Sequence, residues 1–174
     1  MLFSVRNLIL CVFLPLVLVS LLQHGYYWTQ LPDRVATHFG ADGQPNDWMQ
    51  KTSACVVLGA CQLVVPLILL GATTLANRLP SSMVNIPHRE YWLHADRRAE
   101  TMAWMNRMMT WIAILSLIFM MAISRLTFVA NMRQGSLDLR WFLMLLGGYL
   151  TIIFIMAGRS LIRFGRPPKG AISN

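Results

Sequence analysis

The sequence predicts an all-α integral membrane protein with four transmembrane helices joined by polar loops. Three observations lead to this fold class: 56% of the residues are hydrophobic, the mean hydropathy is +0.51, and the apolar residues are collected into four long runs. A soluble domain of 174 residues is usually less apolar than this. We therefore expect a single four-helix membrane domain over residues 1–174, surrounded by the lipid bilayer.

The formal net charge of +8 does not indicate a nucleic-acid-binding protein. The arginines stand mostly at the ends of the apolar runs, where positive charge orients a helix in the membrane. The three cysteines, Cys11, Cys55 and Cys61, lie in or beside apolar runs, and an odd number so placed does not form a disulfide framework. We expect them to be small buried hydrophobic residues, and we expect no cofactor.

The first predicted helix covers about residues 4–24. Its apolar run begins behind Arg6 and has the length of a signal peptide, but no good small-x-small cleavage site precedes His24. The run continues into Tyr26-Tyr27-Trp28, an aromatic cluster typical of the lipid headgroup level. We therefore expect an uncleaved transmembrane helix.

The polar outer loop over residues 25–47 has the pattern of a short extended segment or hairpin. Apolar and polar residues alternate around Thr37, and Gly40-Ala41-Asp42-Gly43 is a strong turn signal. Asp47 and Gln50 have the spacing of a helix N-cap and its reciprocal partner. This spacing predicts that the second helix begins at about residue 48.

The remaining helices are predicted at about residues 48–77, 95–124 and 141–163. The second has about 26 uncharged residues, more than the roughly 20 that a membrane crossing needs, whereas the third and fourth have about 17 and 18. Within the second helix, we expect Gln62 to make an interhelical hydrogen bond. We expect the tail over residues 164–174 to be disordered.

Lysine and arginine are distributed unequally between the two sides of such a bundle. With four spans, the side that holds both termini and the loop over residues 78–94 has ten of these residues, and the other side has five. The positive-inside rule then places the termini and this loop in the cytoplasm and the loop over residues 25–47 outside. The richer side carries Arg6, Arg78, Arg89, Arg97, Arg98, Arg107, Arg159, Arg163, Arg166 and Lys169.

This topology separates the titratable side chains into two loops that cannot share a site. The outer loop has His38 with three acids, but no nucleophile and base are evident, and zinc usually needs more nitrogen or sulfur ligands. A histidine that hydrogen-bonds to hold the loop is the more ordinary interpretation. In the inner loop, His88 and His94 have weak metal spacing. We therefore expect no bound metal and no catalytic residues.

Two segments resemble a known bacterial family. They lie after the first helix and before the third, and the resemblance covers the first two helices, both polar loops and the entry to the third helix. The family is a membrane domain of unknown function found in the N-terminal part of sporulation-delaying-protein (Sdp) type immunity proteins. The matching residues are Leu31-Pro32-Asp33, Thr37-His38-Phe39, Gly43, Pro45, Trp48 and Lys51, and then the run from Asn85 to Leu93, NIPHREYWL.

The resemblance implies protection of the bacterial cell (inner) membrane against a secreted toxic peptide, together with capture of a cytoplasmic regulator. The ligand-binding residues of the outer loop would be Pro32, Asp33, His38, Phe39, Asp42, Gly43, Asp47 and Trp48. The partner-binding residues of the cytoplasmic loop would be Asn85, Pro87, Glu90, Tyr91 and Trp92.

The first functional hypothesis is therefore a multi-pass binding and sensing protein. The alternatives are a membrane-embedded enzyme with a metal or base at His38, or an oligomeric permease. None of the four predicted spans carries an internal acid or base, which argues against proton or ion coupling in a monomer. The oligomeric state is left open.

Overall fold

A computed structural model describes residues 4–167. Four helices in this range are long and apolar enough to cross a membrane, which confirms the predicted number of spans. They are α1 (Val5–Trp28), α2 (Lys51–Arg78), α4 (Ala95–Met132) and α5 (Leu139–Gly165); the one-turn helix α3 (Arg89–Trp92) lies in the loop between α2 and α4. The chain is thus a multi-pass membrane protein whose orientation stays a prediction.

Helix α1 contains a π-helical segment, Ile9–Phe13, close to its beginning. Pro15 lies two residues beyond the end of this segment and has no backbone N–H to donate to the preceding turn. A wider turn at this point accommodates the missing hydrogen bond without ending the helix. The helix continues to Trp28, one turn further than the predicted end at residue 24.

A two-stranded antiparallel hairpin joins α1 to α2, as the alternating pattern predicts. Strand β1 covers Arg34–Phe39 and strand β2 covers Pro45–Gln50. The predicted helix start at about residue 48, with Asp47 as N-cap, is wrong. Strand β2 pairs with β1 as far as Gln50, and the backbone N–H of Lys51 donates to the Asp33 carbonyl at 2.8 Å. The cross-strand pairing outweighs the local capping pattern, and α2 begins only at Lys51.

Helix α4 ends at Met132, two turns beyond the predicted end at residue 124. The charge of Arg125 suggests a loop in the sequence, but the following turns are held by tertiary contacts. Phe128 is fully buried, and Asn131 is buried with its side chain hydrogen-bonded to the hairpin. With 38 residues, α4 is about 57 Å long, so it exceeds the full thickness of a bilayer with its headgroups.

Helix α5 packs against α4 and contributes little to the core. Phe164 is its buried residue, and large apolar side chains such as Phe154, which is 71% exposed, point away from the bundle. The predicted disordered tail begins too early, because Phe164 and Gly165 are helical. Residues 166 and 167 have no regular secondary structure, and residues 168–174 of the predicted tail lie outside the described residues.

Three buried clusters hold the helices together. The hairpin core lies at one end of the bundle, a second cluster lies along α1 and α4, and the loop core lies at the opposite end from the hairpin. Gln62 adds the expected interhelical hydrogen bond, from Ser124 Oγ at 3.3 Å. The hairpin core consists of Tyr27, Leu31, Val35, Ala54 and Phe128; the second cluster of Leu8, Phe13, Ile114 and Leu117; the loop core of Val84, Leu93 and Met102.

Candidate functional site

A cleft opens where the hairpin meets the beginning of α2. We call it the hairpin cleft; its volume is about 580 Å³. It combines an acid, two bases, amide and hydroxyl groups and one indole ring, so it can bind a ligand that carries both polar and apolar groups. Its lining residues are Asp33, Arg34, Trp48, Gln50, Lys51 and Thr52.

The wall of the hairpin cleft is fixed by Lys51. Its ammonium group donates to the Leu31 carbonyl at 3.0 Å and lies 5.5 Å from the centre of the Trp28 ring. These contacts join the last turn of α1 to the first turn of α2 directly below the hairpin. Trp48 remains 44% exposed in the cleft, so its ring is accessible to a ligand.

Two of the eight residues predicted for the outer site, Asp33 and Trp48, line the hairpin cleft. Asp42 and Gly43 instead build the turn, where the Asp42 carboxylate accepts from the Gln44 N–H at 3.0 Å. Gly43 is buried with φ +78°, a left-handed conformation that favours glycine.

The other predicted outer residues lie around the cleft without lining it. His38 hydrogen-bonds through its ring to Asn46 Oδ1, which is the loop-holding role expected of it. Pro32 and Phe39 are half-buried, and the Asp47 carboxylate accepts from the Trp48 N–H at 2.9 Å. Within residues 4–167, no three His, Cys, Asp or Glu side chains are grouped so that they could hold a metal ion.

The outer edge of β2 is exposed. Ala36 exchanges both of its backbone hydrogen bonds with Asn131, at 2.6 and 2.9 Å, on the side of β1 away from β2. Its cross-strand partner Trp48 therefore directs its own N–H and C=O away from β1, because opposite residues in an antiparallel pair alternate in this way. The Asp47 carboxylate covers that N–H, so a negative charge protects the exposed edge.

A second cleft lies in the loop between α2 and α4. We call it the second-loop cleft; its volume is about 410 Å³, and it brings together three predicted partner-binding residues, Asn85, Glu90 and Tyr91. Trp92 faces elsewhere, since its indole N–H donates to the Phe164 carbonyl of α5 at 3.0 Å. Pro87 is exposed between these residues. The remaining lining residues are Ile86, His88 and Arg89.

The loop between α2 and α4, residues 79–94, is called the second loop. It is anchored to the beginning of α4. Thr101 Oγ1 donates to the Trp92 carbonyl at 2.8 Å. The Arg98 guanidinium donates to the carbonyls of Leu79 and Asn77 at 2.8 and 3.3 Å, so it holds the end of α2 against α4. The second-loop cleft therefore rests on the same helix that holds the hairpin through Asn131 at its far end.

Several residues that shape these sites are absent from the predicted set. Arg34, Gln50, Lys51 and Thr52 line the hairpin cleft because the hairpin folds back over the first turn of α2. Lys51 is one of the residues that match the known family, so it could have been included among the predicted ligand-binding residues on that ground. Asn131 has no signal in its local sequence, since its partner Ala36 is 95 positions away along the chain.

Comparison with known proteins gives two similarities. Residues 9–63 match the model of a domain of unknown function, DUF1648. The chain is also 31% identical over 144 residues to an uncharacterised protein of Archaeoglobus fulgidus, covering 79% of this chain and 73% of that protein. No solved structure matches the chain. The comparisons thus support the predicted resemblance to a domain of unknown function. The link of this chain to immunity proteins and its bacterial source stay predictions.

Proposed function

The chain belongs to the same family as that archaeal protein and carries the DUF1648 domain, and from this premise we propose that it is a membrane-embedded binding and sensing protein. The hairpin cleft would receive a ligand on the outer side of the membrane. The second-loop cleft would contact a partner on the cytoplasmic side.

One observation carries this proposal. Helix α4 is continuous from Ala95 to Met132, and it is hydrogen-bonded to the hairpin at Asn131 and to the second loop at Thr101. These two positions lie about 45 Å apart along the helix axis. A ligand bound in the hairpin cleft therefore acts on a continuous helix that also supports the second loop, and two arrangements of that helix, biased by both sites, would couple them.

The exposed edge of β2 favours an extended peptide as the ligand. A peptide strand can pair with an exposed edge through backbone hydrogen bonds, with a neighbouring cleft selecting a side chain. Here the outward N–H and C=O of Trp48 supply the backbone groups, and the hairpin cleft supplies the side-chain pocket. To pair with this edge, the peptide must displace the Asp47 carboxylate from the Trp48 N–H. A basic residue near the end of the peptide would then form an ion pair with that carboxylate.

The first test is the sidedness of the two clefts. Thr37→Cys and Ser82→Cys are placed separately in a background lacking Cys11, Cys55 and Cys61, and intact cells are treated with a membrane-impermeant thiol reagent. Labelling of Thr37→Cys alone supports an outward-facing hairpin. Labelling of Ser82→Cys alone contradicts it, and the proposal of an outer ligand is then abandoned.

The second test asks whether the two clefts are coupled. Trp48→Cys in the same background is modified with a bulky maleimide, which occupies the hairpin cleft, and hydrogen exchange is followed in residues 84–93. Ala41→Cys, on the exposed turn outside the cleft, is the matched control. We expect altered exchange in residues 84–93 with Trp48→Cys and none with Ala41→Cys. A change confined to the hairpin in both variants contradicts coupling through α4.

A further inference from the structure

A groove lies between α4 and α5 at the end of the bundle near the second loop. We call it the arginine groove; its volume is about 410 Å³, and it is separate from both clefts. Two helices contribute to it, and each supplies one guanidinium group and at least one methionine. Its lining residues are Trp104, Arg107, Met108 and Trp111 of α4 with Met156 and Arg159 of α5.

The charge of the groove is uncompensated. The ion pairs within residues 4–167 are His94 with Asp96 and Arg163 with Glu100. Glu100, which is on α4 like Arg107, accepts from Arg163 at 3.2 Å, and Arg163 lies 5.2 Å from the centre of the Trp104 ring. Two positive charges from different helices consequently face one groove that has no acidic side chain in its lining.

The rest of the groove is apolar and lies at the boundary of the membrane-spanning segments. Arg107 and Arg159 stand directly beside the uncharged runs of α4 and α5, where lipid headgroups are located. Met108 and Met156 are half-buried, and Trp111 is 42% exposed. An occupant must therefore be anionic at one end and apolar along its length.

A groove at the opposite end of the same helix pair provides the comparison. It has a volume of about 430 Å³ and is also lined by two arginines, Arg125 and Arg133, together with Trp141. Its lining, however, includes the acid Asp138. The two grooves thus have two arginines each, but of the two only the arginine groove has no carboxylate in its lining.

We propose that the arginine groove binds one anionic phospholipid. The guanidinium groups of Arg107 and Arg159 donate hydrogen bonds to the phosphate oxygens, a geometry for which the planar donor fork is well suited. One acyl chain lies along Met108, Trp111 and Met156. This lipid fills the space between α4 and α5 next to the contacts that Arg163 makes with Trp104 and Glu100.

The test is native mass spectrometry of the purified full-length protein titrated with phosphatidylglycerol and, separately, with phosphatidylcholine of the same acyl chains. We expect one phosphatidylglycerol to bind more tightly than phosphatidylcholine. The double substitution Arg107→Gln with Arg159→Gln should weaken phosphatidylglycerol binding about twenty-fivefold, because each arginine near the membrane surface contributes about a fivefold factor. The matched control is Arg125→Gln with Arg133→Gln, for which we expect less than a twofold loss.

Three further measurements keep the test decisive. Arg159→Gln alone, at an exposed position, should weaken phosphatidylglycerol about fivefold even if the double variant fails to fold, and Arg159→Lys should retain part of the affinity. Glycerol phosphate, added as a competitor without acyl chains, should not displace the lipid. Equal losses in both pairs of substitutions, equal binding of both lipids, or displacement by glycerol phosphate would each overturn the proposal.

Discussion

The two ends of the bundle are built from different interactions. At the hairpin end, an apolar core of fully or nearly buried residues is combined with three hydrogen bonds between the Asn131 side chain and backbone atoms: its amide oxygen accepts one and its NH2 group donates two. At the second-loop end, the core is smaller, and arginine side chains make many of the contacts. Arg97 lies 4.1 Å from the centre of the Tyr91 ring, and Arg163 lies near both Trp92 and Trp104.

This difference has a consequence for dynamics. Contacts made by long arginine side chains rearrange at low cost, whereas a buried aromatic core and a paired amide change only with a large loss of free energy. We infer that the hairpin end is the rigid part and that the second loop is the adaptable part.

The strongest test of the comparison is Phe128→Ala. Its ring is fully buried and contacts Tyr27 at a centroid distance of 5.1 Å, so its removal leaves a cavity in the hairpin core. We expect a loss of about 3 to 5 kcal/mol in the free energy of unfolding, measured by denaturant titration in detergent. The matched control, Phe154→Ala on the exposed face of α5, should change little. An equally small effect at Phe128 would contradict a rigid hairpin end.

The second prediction concerns Gly43→Ala. The residue has φ +78°, and a Cβ atom there would lie 2.8 Å from the Leu137 carbonyl oxygen in the loop between α4 and α5. Backbone strain together with this contact should cost about 1 to 3 kcal/mol. Gly71→Ala, where no heavy atom lies within 4 Å of the added Cβ, is the control in the same unfolding assay. If both glycines tolerate alanine equally, the turn does not dock on that loop.

The third prediction is Asn131→Ala. It removes the amide that binds both backbone groups of Ala36 and should cost about 1 to 3 kcal/mol, since a buried N–H and C=O lose their partners. Hydrogen exchange should increase at the hairpin first. Asn106→Ala, which removes an exposed hydrogen bond to Asn77, serves as the control. Unchanged exchange at Ala36 would show that Asn131 does not hold the hairpin.

The smallest expected effect is at the second-loop end, with Arg163→Gln. The guanidinium stacks on two indole rings and pairs with the exposed Glu100, so we expect a loss of only about 0.5 to 1 kcal/mol. Hydrogen exchange should rise around Trp92 but not at the hairpin. A loss as large as that of Phe128→Ala would remove the distinction between a rigid and an adaptable end.

The number of spans and the hairpin could be predicted because both follow from local patterns. Long uncharged runs are sufficient to identify transmembrane helices, and the glycines of Gly40-Ala41-Asp42-Gly43 mark a turn without knowledge of its surroundings. The candidate site was only partly predictable. Of the residues predicted to bind a ligand, Asp33 and Trp48 line the hairpin cleft, whereas Lys51 and Gln50 join them through the fold of the hairpin over α2.

By itself, the sequence determined the membrane class, the four spans and the turn, since each depends on composition or spacing within a few residues. The tertiary structure alone decided where α2 begins and α4 ends. Asp47 has the pattern of a helix cap but pairs in a strand, and Phe128 follows a charge yet lies in the core. The tertiary structure also brings Arg107 and Arg159 to one groove, because contacts between distant residues depend on how helices pack and not on local sequence.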